Sequence, residues 1–321
     1  MRRLYEQLCR HDAAAWQRAL DAIAPAIREI DRNATRIWFA FWPLDLALVL
    51  QSAEDSSALA RKLGLMGRWR LADQIDESHR FLYAHRFWPQ VKSAVAADRE
   101  WPDDLVAATN AIAESAARTA RTDREVLLGM TAIALMTLRQ VGVEAFGAAP
   151  GAIHLSAIAR RTSALQVSGR RGKDDWQGVF GFLRGMRKLW TVTFDESDPA
   201  ATFRVINGQE IATAAQSDKR EYKSRDARCT PGEGPIPVEC RAASCGTCWV
   251  GVLSGADKLS PVVDRDEGKR MKVFGYQATS ELRPLIRLAC QARASGSVSV
   301  IIPPWNGVFG AALAAPAEKR R

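Results

Sequence analysis

Apolar positions in the first part of the chain recur every three to four residues, whereas those in the last third gather in short β-branched runs. Leu20, Ile23, Ile27 and Ile30 fall on one helical face, and Pro25 predicts a kink or restart within that stretch. Asn33 stands where a helix cap would precede the aromatic run WFAFW. Asp103 predicts the start of a helix over LVAATNAIAESAARTA. Asp123 predicts another over REVLLGMTAIALMTLRQV, closed by Gly142. No alternating strand pattern competes with these helices. Residues 143–173 mix glycine, serine and basic residues and read as a loop or partly helical connector. Asp174 or Asp175 is then placed to cap one more helix, reaching about 187.

At Leu189 the period changes. Residues 189–194 and 201–206 are two β-prone runs separated by Ser-Asp-Pro, which predicts a hairpin; 249–253 and 298–302 are further short strands, with a helix over roughly 264–275 between them. The expected fold is therefore multidomain α and α+β. An all-helical domain spans 1–188, an α+β domain 189–310, and a flexible basic tail 311–321.

Charge refines this picture only slightly. The net +9 divides into +6 on residues 1–188 and +3 on the rest, a diffuse basic field. Basic clusters at Arg118, Arg121 and Arg124, at Arg160 and Arg161, and at Arg170, Arg171 and Lys173 read as solvated faces. No nucleic-acid module accompanies them, which argues against nucleic acid and favours an acidic protein partner. The longest apolar run, 126–138, is shorter than the roughly 20 residues that cross a bilayer and predicts a buried core helix. Trp38, Phe39, Phe41 and Trp42 leave room for peripheral membrane contact. No apolar signal segment follows Arg2 and Arg3, so a cytoplasmic location is expected.

The chemistry lies in the cysteines. Cys240, Cys245 and Cys248 share one short loop in the order C-x4-C-x2-C, and Cys290 follows after a long interval. This spacing suits a centre of two irons, each of which needs two thiolates, with three ligands on one loop and a distant fourth. Four cysteines could also hold one tetrahedral zinc, although zinc ribbons prefer two C-x2-C pairs. A 4Fe–4S run is absent, and a disulfide framework fits poorly without a secretion signal.

CRAASCGTC, the following WVGVLSGADKLSP, and LACQARASGSVSVIIP resemble the plant-type and related bacterial 2Fe–2S ferredoxins over about 189–303. The resemblance implies a β-grasp fold, a 2Fe–2S cluster ligated by Cys240, Cys245, Cys248 and Cys290, and redox partners. These would be a flavoprotein or iron–sulfur reductase on one side and an electron acceptor on the other. Two features depart from the family: a longer, more polar approach to the cluster loop over 218–237, and a slightly basic rather than acidic domain. The approach reads as a solvated insertion or a docking flap.

Cys229, inside that insertion, is expected to be a plain thiol, and Cys9 a small packed hydrophobe. Residues 1–188 hold seven of the ten tryptophans, which predicts a large aromatic core. His79 and His85, six residues apart, would lie about 240° apart on one helix and could not share a metal. No nucleophile elbow or phosphate loop appears in the helical half. The chain is thus expected to be a one-electron carrier without turnover of its own, its helical domain docking or positioning. The rival expectations are a redox-responsive regulator and an enzyme fed by its own ferredoxin domain.

Overall fold

The computed structural model describes residues 1–175, 188–262, 267–276 and 281–314. The helix expected up to 187 lies largely outside them, as do residues 315–321 of the expected flexible tail 311–321; residues 311–314 of that tail belong instead to a short helix, Gly310–Ala314. By contact the chain forms two units, Met1–Leu48 with Arg70–Ala164, and Val49–Trp69 with Leu165–Arg321.

In chain order the helices are α1 (Arg2–Cys9), α2 (Ala13–Ile23), α3 (Glu29–Phe41), α4 (Leu44–Ser52), α5 (Ser56–Lys62), α6 (Trp88–Ala96), α7 (Leu105–Ala120), α8 (Arg124–Ala148), α9 (Ala157–Arg161), α10 (Ala164–Arg170), α11 (Ile211–Ala215), α12 (Lys269–Phe274) and α13 (Gly310–Ala314). The strands are β1 (Met66–Gly67), β2 (Leu189–Thr193), β3 (Thr202–Ile206), β4 (Gln209–Glu210), β5 (Trp249–Ser254), β6 (Ile286–Leu288), β7 (Arg293–Ala294), β8 (Val298–Ile301) and β9 (Trp305–Asn306).

The first unit is mostly helical and is built around α8, which packs against α1, α3, α6 and α7. By length and composition α8 could cross a membrane, but 78% of its most apolar window is buried inside the unit. Its apolar surface is taken up by neighbouring helices. Asp12 and Asp104 cap α2 and α7 by accepting the N–H groups of Ala15 at 2.7 Å and Ala107 at 2.8 Å.

The details bear out the expected restart at Pro25 and correct the sequence reading in two places. Pro25 opens a 3-10 turn, Ala24–Ala26, between α2 and α3. Asn33 lies inside α3 rather than capping it, because the helix already starts at Glu29. Gly142 adopts φ +82°, a conformation that favours glycine, and breaks α8 without ending it.

The second unit holds a five-stranded sheet in the order β3-β2-β8-β5-β6. β2 pairs parallel to β8 and every other pairing is antiparallel. The predicted hairpin is β2–β3, with Val192 opposite Phe203. β5 is buried on both faces, so it reads as a continuous apolar run without alternation.

A cut at residue 188 does not describe this unit, because Val49–Trp69 belongs to it. That segment supplies β1, whose Met66 and Gly67 pair with Asn306 and Trp305 of β9. The N-terminal half is therefore not purely helical: a two-residue strand carries no detectable period, and only its distant partner defines it.

The approach segment 218–237 contains no helix or strand, yet two hooks of the form Asp-x-Arg fasten it. Asp218 binds the backbone N–H and guanidinium of Arg220, which also donates to the Ala200 carbonyl at 2.7 Å. Asp226 holds Arg228 in the same way, and Arg228 reaches the Pro303 carbonyl at 2.6 Å and Asn306 Oδ1 at 3.2 Å. Farther along, Glu233 accepts from Gln216 at 2.7 Å and pairs with Arg241 of the cysteine loop.

Candidate metal centre

Cys240, Cys245 and Cys248 lie on the loop that runs into β5, and Cys290 lies on the turn after β6. The N–H of Ala289 donates to the Cys248 carbonyl at 2.9 Å and fixes the turn against the loop.

Arg241, Ala243 and Gly246 hold φ values of +54°, +55° and +67°. For the two non-glycine residues this left-handed backbone costs about 1–3 kcal/mol each, a cost typical of functional loops. The curl turns backbone donors inward: Ala242, Ser244 and Cys245 N–H groups stand 3.4, 3.3 and 3.3 Å from Cys240 Sγ. Thr247 Oγ1 lies 3.1 Å from Cys245 Sγ, and Gln291 Nε2 donates to Cys290 Sγ at 3.5 Å. A Cβ at Gly246 would run into the Phe274 ring, so only glycine fits there.

Cys240 and Cys245, like Cys248 and Cys290, are near enough for each thiol to influence its neighbour's titration. Cys248 and Cys290 are buried, while Cys240 and Cys245 are partly exposed. Burial alone would raise the Cys240 thiol, but the hydrogen bonds from Ser244, Ala242 and Cys245 outweigh it and bring it down to about 6. The hydrogen bond from Cys248 lowers Cys290 to about 7 against burial, and the same bond raises its donor Cys248. Cys240 and Cys290 are thereby prepared to be thiolates. Among the described residues no three Cys, His, Asp or Glu side chains converge on a single ion position.

Behind the fourth cysteine, Arg287 and Glu267 form a bidentate pair at 3.0 and 2.9 Å, and Glu267 also accepts the Leu288 N–H. Nothing in the spacing marks this pair, because Glu267 stands twenty residues before its partner.

The remaining sequence candidates fall elsewhere. Cys229 is buried, donates to the Pro235 carbonyl at 3.4 Å, and is pushed up to about 11 mainly by burial; it is an inert packed thiol. Cys9 is exposed rather than packed. Trp249 is fully buried and meets Phe274 and Tyr276 edge-on.

His79 and His85 overturn the helical reasoning applied to them. They lie in a turn and a 3-10 helix (Tyr83–Phe87) rather than on one α-helix, and their Nδ1 atoms are 2.9 Å apart. Burial and the neighbouring His85 keep His79 far below the ordinary range, and burial followed by Arg80 lowers His85 to about 4.

Residues 201–295 match the family model of the 2Fe-2S iron-sulfur cluster binding domain, a segment that contains all four cysteines, and the helical region has no family match. The cofactor this segment implies is a 2Fe–2S cluster. No curated protein and no solved structure matches the chain.

Proposed function

We propose that the chain is a one-electron carrier whose 2Fe–2S cluster is held by Cys240, Cys245, Cys248 and Cys290 on a β-grasp scaffold. The observation that carries this reading is the 201–295 match, which contains all four cysteines, with three backbone N–H groups aimed at Cys240 Sγ. The mixed sheet with its parallel β2–β8 pair supports the scaffold assignment.

When bound, the cluster supplies reversible one-electron storage at a potential that ligand hydrogen bonds and solvent exposure adjust. The chain's own residues set those conditions. Donors at Cys240 and Cys245 compensate negative charge on the partly exposed pair, and burial of Cys248 and Cys290 keeps water from the other pair. Electrons therefore pass through the Cys240–Cys245 edge. The helical unit positions this domain for its partners in a reducing, cytoplasmic setting.

Anaerobic purification followed by iron and sulfide analysis, with EPR of the dithionite-reduced protein, tests the reading. Two irons, two sulfides and an S = 1/2 signal are expected, while bound zinc without sulfide would overturn it. Cys290→Ser should lose or weaken the cluster, and Cys229→Ser should retain it. Equal loss in both would refute the ligand assignment.

A further inference from the structure

Helix α12 stands directly against the cysteine loop. Its Phe274 ring occupies the space over Gly246 and meets Trp249 at 5.8 Å between centroids. Met271 and Phe274 face inward and are buried, which leaves Lys269, Lys272 and Val273 on the solvent side, Val273 being 45% exposed. On the loop itself Ala242 and Ser244 are exposed beside the partly exposed Cys240 and Cys245.

Elsewhere in the unit Arg204, Arg220, Arg228, Arg241, Lys258 and Arg293 each pair with a carboxylate. Lys269, Arg270 and Lys272 have neither an ion pair nor a side-chain hydrogen bond among the described residues, and α12 carries no acidic residue. Asp264 and Asp266, which precede the helix in sequence, lie outside the described residues. Three cations with no carboxylate partner among the described residues, around an exposed branched side chain and beside the partly exposed thiols of the cysteine loop, form a charged rim with an apolar centre.

We propose that α12 and the exposed edge of the cysteine loop form the docking face for an acidic redox protein, whose carboxylates meet Lys269, Arg270 and Lys272 around Val273. This inference rests on the electron-carrier reading. Its physical basis is steering: cations next to the electron-exit edge raise the encounter rate of anionic partners by about 10- to 1000-fold at low salt, and salt removes the advantage.

Two small oxidants of opposite charge test the field at this edge. The reduced holoprotein gives one electron to ferricyanide, forming ferrocyanide, or one electron to hexaamminecobalt(III), forming cobalt(II). Stopped-flow rates are followed from low to high ionic strength. The ferricyanide rate should fall with salt and the hexaamminecobalt rate should rise. In Lys269→Glu/Lys272→Glu the ratio of the two rates at low salt should fall by about tenfold or more, whereas Lys269→Arg/Lys272→Arg should keep the wild-type ratio. Taking the ratio reduces the influence of any change in cluster potential common to both reactions.

A ratio that ignores both salt and charge reversal, in protein with an intact S = 1/2 signal, overturns the docking face alone. A protein that never shows that signal overturns the carrier reading on which it rests.

Discussion

Arg287 and Glu267 join the turn that bears the fourth cysteine to the segment leading into α12 through a bidentate ion pair that is almost completely removed from water, with side chains 1% and 2% exposed. Arg287 also donates to the Ser260 carbonyl at 2.9 Å, and Glu267 receives the Leu288 N–H, so both ions are hydrogen-bonded beyond each other. Burying two charges is costly, and such a pair persists when its remaining donors and acceptors are satisfied. Arg287→Met leaves the Glu267 carboxylate buried without its counter-ion. It should destabilise the unit by about 3–5 kcal/mol, whereas Arg287→Met/Glu267→Leu should recover much of that loss. Denaturant unfolding measures the difference, and equal stability of the single and double variants would contradict it.

The histidine pair predicts how the helical unit responds to acid. His79 and His85 are held neutral when folded, His85 down to about 4, whereas an exposed histidine takes up a proton near 6.5. Below about pH 6.5 the unfolded chain therefore binds more protons than the folded one. Stability is present at neutral pH and falls as the pH drops towards 4, by about 1.4 kcal/mol per pH unit for each histidine. Urea unfolding between pH 7 and pH 5 should show this decline. Imidazole resonances that titrate near 6.5 in the folded protein would refute it.

The cysteine spacing and the β2–β3 hairpin were legible because each is a local pattern, whereas the cap of α7 falls on Asp104, one residue after the Asp103 that the sequence suggests. Residues whose roles depend on distant partners were not legible. His79 and His85 were placed 240° apart by assuming an α-helix, but Asp31 accepts the Tyr83 and Ala84 N–H groups at 2.7 and 2.8 Å, and the chain between the two rings turns back. The polar composition of 218–237 looked like a solvated insertion. Asp218, Arg220, Asp226 and Arg228 are instead tied in pairs and to remote carbonyls, a use of charge that composition does not reveal. The Asp-x-Arg repeat was the one available signal, since both hooks use the same two-residue spacing.

Gly246 offers a sharp test of the loop. Its φ of +67° disfavours any side chain, and a Cβ would collide with Phe274. Gly246→Ala should therefore cost about 1–3 kcal/mol from backbone strain, with steric displacement of α12 in addition. Iron and sulfide content per chain should fall. Gly246→Ala/Phe274→Leu relieves only the collision and should restore part of the content; no recovery would show that the backbone alone carries the effect.

Gln291 acts on the sulfur of its own neighbour. Its Nε2 donates to Cys290 Sγ at 3.5 Å and to the Cys290 carbonyl at 3.0 Å, which fixes the carboxamide beside this buried candidate ligand. An added electron increases negative charge on the ligand sulfurs, so a donor aimed at one of them favours the reduced state. Gln291→Leu removes that donor without adding charge, and the midpoint potential should become more negative by a few tens of millivolts, where about 59 mV is a tenfold change for one electron. Gln291→Glu replaces the donor with a carboxylate and should move the potential further in the same direction. A redox titration followed by EPR measures both, with iron and sulfide content as the control for assembly. An unchanged potential in fully loaded Gln291→Leu would show that this contact only shapes the turn, leaving the backbone donors at Cys240 as the tuning element.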